Sequence, residues 1–169
     1  DTYLVDSSSD TVTESSGQGT DLIFSSASFT ISDNVENLYL RGSSNINATG
    51  NNDANVISGN SGENNLDGSD GDDKLFGNAG NDTLNGGAGN DLINGGDGND
   101  IAEFSDLDNQ INLNISSSQD TGEGNDTLIS IERVSAGGGD DTVTGNSGNN
   151  SLYGGDGNDM LIGNEGNDY

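Results

Sequence analysis

The side chains able to do chemistry in this chain are almost all carboxylates and amides, and they recur at a fixed spacing. Aspartate stands at Asp73, Asp82, Asp91 and Asp100, and again at Asp141, Asp159 and Asp168, in steps that are multiples of nine within each group. Asn64 and Asn150 fall on the same two lattices, and Asp126 takes the equivalent place in an imperfect copy, TGEGNDTLI, at 121–129. Glycine precedes most of these residues by two and by five positions. Carboxylate, amide and glycine-loop carbonyl are all hard oxygen donors, the ligand set of a calcium-type cation. The chain has no histidine and no cysteine, so a zinc site, a Ser-His-Asp triad and a Cys-His dyad have no residues to be built from.

The spacing belongs to a repeating unit. Five copies run without insertion from Gly59 to Glu103: GNSGENNLD, GSDGDDKLF, GNAGNDTLN, GGAGNDLIN and GGDGNDIAE. A second run, AGGGDDTVT, GNSGNNSLY, GGDGNDMLI and GNEGNDY, occupies 136–169. GNNDANVIS at 50–58 is a looser copy, with Asp53 where the others have their second glycine. The eighth position is aliphatic, as at Leu66, Leu75, Leu84, Ile93, Val143, Leu152 and Leu161, with Ala102 as a small exception. Positions seven to nine predict a strand with its middle side chain inward. One apolar residue per nine makes no core by itself, but stacked copies line up into a ladder. Two nonapeptides then form one turn, and residues 18 apart sit above one another at about 4.8 Å.

That stacking places Asp82 between Asn64 and Asp100, Asp73 against Asp91, Asp141 against Asp159, and Asn150 against Asp168. Carboxylates about 4–5 Å apart repel by roughly 3–4 kcal/mol at an effective dielectric near 20. A divalent cation between the loops removes the repulsion, and six or more flexible oxygen ligands favour Ca²⁺ over Mg²⁺.

Composition points the same way. Thirty acidic residues face three basic ones, Arg41, Lys74 and Arg133, for a formal net charge of −27. Three cations assemble no basic patch, which excludes nucleic acid as a partner. No apolar stretch of membrane-spanning length exists, so no membrane insertion is expected. Twenty-eight glycines and no proline suit a chain that turns tightly and often. The carboxylates outside the lattice, among them Asp21, Glu36, Asp106, Asp108 and Glu132, read as solvated anionic surface, and Arg41 and Arg133 as members of ion pairs or caps.

GGAGNDLIN and GGDGNDMLI fit the pattern G-G-x-G-x-D-x-U-x. The chain resembles the RTX, or haemolysin-type calcium-binding repeat, family of bacterial secreted proteins. DTYLV at 1–5 looks like the tail of a further repeat, which predicts that the chain was cut from a longer protein. The resemblance implies an all-β fold, a parallel β-roll or β-solenoid of stacked nonapeptides, with wider irregular rungs at the N-terminus and between two repeat blocks. The divisions are 1–58 for irregular N-terminal rungs, 59–103 for the first block, 104–135 for an irregular spacer and 136–169 for the second block, all in one continuous solenoid. It also implies about five or more Ca²⁺ ions, held by the aspartates above, with Asn64 and Asn150 as weaker substitutes. Backbone carbonyls of Gly68, Gly71, Gly77, Gly80, Gly86, Gly89, Gly95, Gly98, Gly154, Gly157, Gly163 and Gly166 complete the ligand set. Export from a bacterium follows from the resemblance as well.

The expected function is an extracellular, calcium-binding scaffold, surface-layer or filament-type subunit that folds as Ca²⁺ binds. The alternative is a folding and secretion module of a larger secreted enzyme, toxin or adhesin. No catalytic constellation is present in the sequence, so no enzyme is expected. Head-to-tail self-association through open solenoid ends is a further expected partner, beside calcium itself.

Overall fold

The computed structural model describes all 169 residues as a parallel β-solenoid of about nine turns, with eighteen short strands and no helix. No helix is therefore long and apolar enough to cross a membrane. Most strands have only three or four residues, the length left between glycine-rich corners, and they persist because each pairs with strands of the adjacent turns.

Two sheets face each other across the core. The first stacks Thr2–Val5, Leu22–Ser25, Asn37–Leu40, Val56–Ser58, Lys74–Ala79, Leu92–Asp97 and Asn125–Ile129 in parallel. The second stacks Phe29–Thr30, Ala48–Thr49, Asn65–Asp67, Thr83–Asn85, Ile101–Glu103, Arg133–Ser135 and Ser151–Tyr153. In the repeats the register step is 18, as in Leu66 opposite Leu84 and Leu75 opposite Ile93. The inward residues form two apolar columns. Ile23, Leu38, Ile57, Leu75, Ile93 and Leu128 make one, and Phe29, Ala48, Leu66, Leu84, Ala102, Val134 and Leu152 the other; all are buried. Ala102, the small exception of the sequence pattern, is fully buried between Leu84 and Val134.

The spacer departs from simple winding. A third sheet stacks Gln110–Asn112, Thr142–Thr144 and Met160–Ile162, continuing the first side of the solenoid. Between it and Asn125–Ile129 the chain doubles back, and Gln119–Asp120 pairs antiparallel with Asn125–Asp126. The Gln119 side chain ties this reversed strand to the backbone of Asn112 on both its N–H and C=O. The corner 121–126 thus sits between the corners 86–91 and 104–109, out of chain order.

One cation, Arg41, finds a partner other than those expected from sequence. The Arg41 guanidinium lies 3.8 Å over the Phe24 ring, and the only ion pair of the structure joins the Asp1 amino group to Asp21. Arg41 and Arg133 are in no ion pair because no carboxylate reaches them; Phe24, on the outer surface of the first sheet, offers Arg41 a ring face instead.

Candidate metal centre

The corners carry the lattice aspartates, and one hydrogen-bond pattern repeats along both edges. The backbone N–H of one rung donates to Oδ1 of the aspartate stacked on it: Asn55 to Asp73 at 2.7 Å, Asp73 to Asp91 at 2.8 Å and Asp91 to Asp126 at 2.8 Å. The opposite edge repeats it from Asn64 to Asp82 at 2.8 Å and from Asp82 to Asp100 at 2.7 Å. In the second block Asn109 donates to Asp141, Asp141 to Asp159 and Asn150 to Asp168, at 2.8, 3.1 and 2.9 Å. The side-chain pairs anticipated from the 18-residue step are therefore brought together. They meet, however, as carboxylate on backbone amide, which moves like charges off each other's axis.

That arrangement spends one oxygen of each carboxylate. Oδ2 of Asp73, Asp82, Asp91, Asp100 and Asp141 is buried and has no hydrogen-bond partner. A buried, unpartnered carboxylate oxygen is costly. Burial accordingly pushes the Asp73 carboxyl up to about 7 and those of Asp82 and Asp91 up to about 6. The Asp100 and Asp126 carboxyls are raised by burial too.

Four of the five orphan oxygens, those of Asp73, Asp82, Asp91 and Asp100, point at the first glycine of their own repeat, whereas the repeat of Asp141 begins with Ala136. A Cβ on Gly68 would lie 2.4 Å from Asp73 Oδ2 and 2.5 Å from the Gly86 carbonyl, and one on Gly77 would lie 2.5 Å from Asp82 Oδ2 and 2.4 Å from the Gly95 carbonyl. Glycine is required here because two oxygens from different rungs converge on the space a side chain would fill. Gly86, Gly154 and Gly163 likewise face Oδ2 of Asp91, Asp159 and Asp168. The fourth-position carbonyls of Gly71, Gly80, Gly139 and Gly148 instead lie against the glycines stacked over them, Gly89, Gly98, Gly157 and Gly166. Convergent carboxylate and carbonyl oxygens with no lysine or arginine paired to them fit a hard divalent cation of the calcium class.

Three sequence candidates behave differently. Asn64 Oδ1 accepts the Asn60 N–H at 2.8 Å, while its Nδ2 donates to the Ile46 carbonyl at 2.7 Å. Asn150 Oδ1 accepts the Asn146 N–H at 2.8 Å, and its Nδ2 reaches the Glu132 carbonyl at 3.3 Å. Both amides are hydrogen-bonded to backbone groups through their oxygen and their nitrogen, unlike the carboxylates with a bare Oδ2. Asp126 is buried, but its second oxygen is taken by the Thr121 hydroxyl.

The asparagine corners also have another backbone shape. In 50–55, 59–64 and 145–150 the second residue is asparagine, and its N–H donates to the amide oxygen four residues on, at 2.8 Å each time. In the aspartate corners the second residue has positive φ, as at Asn78 with φ 74 and Gly96 with φ 101, and no N–H reaches Oδ2. Asparagine at positions two and six together is the sequence signal for the closed corner. Asn109 closes its corner another way, with Nδ2 donating to the carbonyls of Ser105, Leu107 and Ala136 at 3.0, 2.7 and 2.7 Å.

Residues read as solvated surface also join the corners. Asp21 is buried, and its N–H donates to Glu36 Oε2 at 2.7 Å; Glu132 Oε2 accepts the Asp100 N–H at 3.0 Å. No nine-residue spacing links Asp21 or Glu36 to the lattice, so no periodic signal marks them. A family model described as the RTX calcium-binding nonapeptide repeat (4 copies) matches residues 49–84, 67–102 and 135–169, more than half of the chain. No curated protein matches it.

Proposed function

Because the chain belongs to the family of RTX calcium-binding nonapeptide repeats, whose members are typically secreted bacterial proteins, we propose that it is an extracellular structural module which folds as calcium enters its corners. The observation that carries this reading is the set of buried, unpartnered Oδ2 atoms on the lattice aspartates. Asp73, Asp82, Asp91 and Asp141 would each hold an ion, together with carbonyls such as those of Gly86 and Gly95. Asn64, Asn150 and Asp126 stay outside the ligand set. When bound, the cation supplies the positive charge that lets anionic corners stack.

The module works as a scaffold of the surface-layer or filament kind, with no catalysis of its own. Support comes from the solenoid itself, whose rungs occupy the described chain from Thr2 to Ile162 and leave the carboxylates in corner columns rather than in a cleft. Circular dichroism with and without a chelator tests the calcium reading: a parallel-β spectrum with millimolar Ca²⁺ that is mostly, though not wholly, lost without it. A spectrum indifferent to chelator would overturn it. Electron micrographs of the calcium form test the scaffold role, with fibres or arrays expected and monodisperse short rods counting against it.

A further inference from the structure

We propose a cation site at the seam between the first repeat block and the spacer, assembled by Asp100, the Ser130 carbonyl and Glu132. It rests on the calcium reading above and extends it to residues outside the repeat pattern.

The 18-residue phase ends at Asp100. The strand register sets Asn94 opposite Ile129 and Ile101 opposite Arg133. The corner stacked on residues 95–100 is therefore only Ser130, Ile131 and Glu132, with no glycine loop. The site's oxygens are nonetheless in place. A Cβ on Gly95 would lie 2.3 Å from the Ser130 carbonyl oxygen and 2.5 Å from Asp100 Oδ2. One rung lower, Gly77 meets the equivalent pair, the Gly95 carbonyl at 2.4 Å and Asp82 Oδ2 at 2.5 Å. Ser130 thus supplies the carbonyl that a repeat glycine supplies elsewhere. It does so at φ 50, a region non-glycine residues seldom enter.

Glu132 replaces the aspartate of the missing loop. Its Oε2 accepts the Asp100 N–H at 3.0 Å, the bond that Oδ1 accepts in the repeats. The longer side chain spans the gap left by the contracted corner and brings a second carboxylate beside Asp100. Asp100 is fully buried, and its Oδ2 has no partner. No lysine or arginine forms an ion pair there. Two carboxylates and a carbonyl with no internal counter-charge call for a divalent cation with oxygen preference, Ca²⁺ among the common ions. The contracted corner offers fewer carbonyls than a repeat loop, so this ion keeps more of its water and binds more weakly than those inside the block.

Isothermal titration of the full chain with Ca²⁺ tests the site through Glu132→Gln and Asp100→Asn. The glutamine keeps an acceptor for the Asp100 amide and removes only charge. Each variant is expected to bind one ion fewer than wild type, with an unchanged circular dichroism spectrum at saturating calcium. A Glu132→Gln chain that binds the wild-type number of ions with wild-type affinity overturns the site. Crystals grown with Tb³⁺ in place of Ca²⁺ give a second readout, an anomalous peak between Gly95 and Ser130; its absence, with peaks present at Asp73 and Asp82, also overturns it. Wild-type protein that takes up no calcium at all would instead bring down the calcium reading as a whole.

Discussion

Two kinds of corner share one solenoid. In the corners at 50–55, 59–64 and 145–150, an asparagine amide is satisfied at both ends by backbone groups. In the corners ending at Asp73, Asp82, Asp91 and Asp100, a carboxylate stands in the same place with one oxygen bonded and the other bare. The columns of apolar residues beneath them are the same. The difference lies in one peptide: where its N–H turns inward the corner is closed by neutral hydrogen bonds, and where φ turns positive the corner is left with uncompensated negative charge. Stability in the first kind is internal, and in the second it would come from the proposed ion.

Removing calcium should split the two kinds most sharply. Hydrogen exchange in chelator is expected to show amides of 68–103 losing protection almost completely while those of 35–66 keep part of theirs; equal loss in both would break the contrast. Leu38→Ala and Leu84→Ala test that the contrast is confined to the corners. Each should cost about 2–5 kcal/mol in the calcium form, measured by denaturant unfolding, since both side chains are fully buried.

A swap of single side chains sharpens the comparison further. Asp82→Asn turns GNAGND into the closed-corner pattern, because Asn78 is already in place. It should lose one calcium ion by titration and keep corner 77–82 protected in chelator. Asn64→Asp should gain one ion. No change in ion number for either variant would remove asparagine as the discriminating residue.

The smallest effect expected is on pH. In the calcium-free fold, burial raises the carboxyls of Asp73 to about 7 and of Asp82 and Asp91 to about 6, above their ordinary value of 3.8. Their contribution then favours folding below about pH 4 and is lost as pH rises through about 6–7. Calcium reverses the requirement, because it binds the ionised form. Its apparent affinity should fall as pH drops through the same window, as calcium titrations at a series of pH values would report. The asparagine corners contribute no slope.

Much of this was legible in the sequence because the repeat is strict. A constant step of 18 fixes which aspartate stacks on which, and the aliphatic eighth position fixes the face. Legibility failed where the step changed. Asp91 meets Asp126 across 35 residues, and Asp100 meets Glu132 and Asn109 meets Asp141 across 32. No period announces these distances, so the fold-back of the spacer and the role of Glu132 were hidden. The hydrogen bonding of Asn64 and Asn150 was hidden for another reason: composition shows an oxygen donor, while the direction of the neighbouring peptide decides what that oxygen accepts.

The reversed strand Gln119–Asp120 carries a consequence for shape. On one side of the core, Asn125–Ile129, Gln119–Asp120 and Gln110–Asn112 lie between Leu92–Asp97 and Thr142–Thr144; on the other, Arg133–Ser135 alone lies between Ile101–Glu103 and Ser151–Tyr153. With strands spaced about 4.8 Å apart, the two walls differ in height by roughly two spacings. The spacer is therefore where the two walls of the solenoid stop matching course for course, like masonry with extra bricks laid on one face alone.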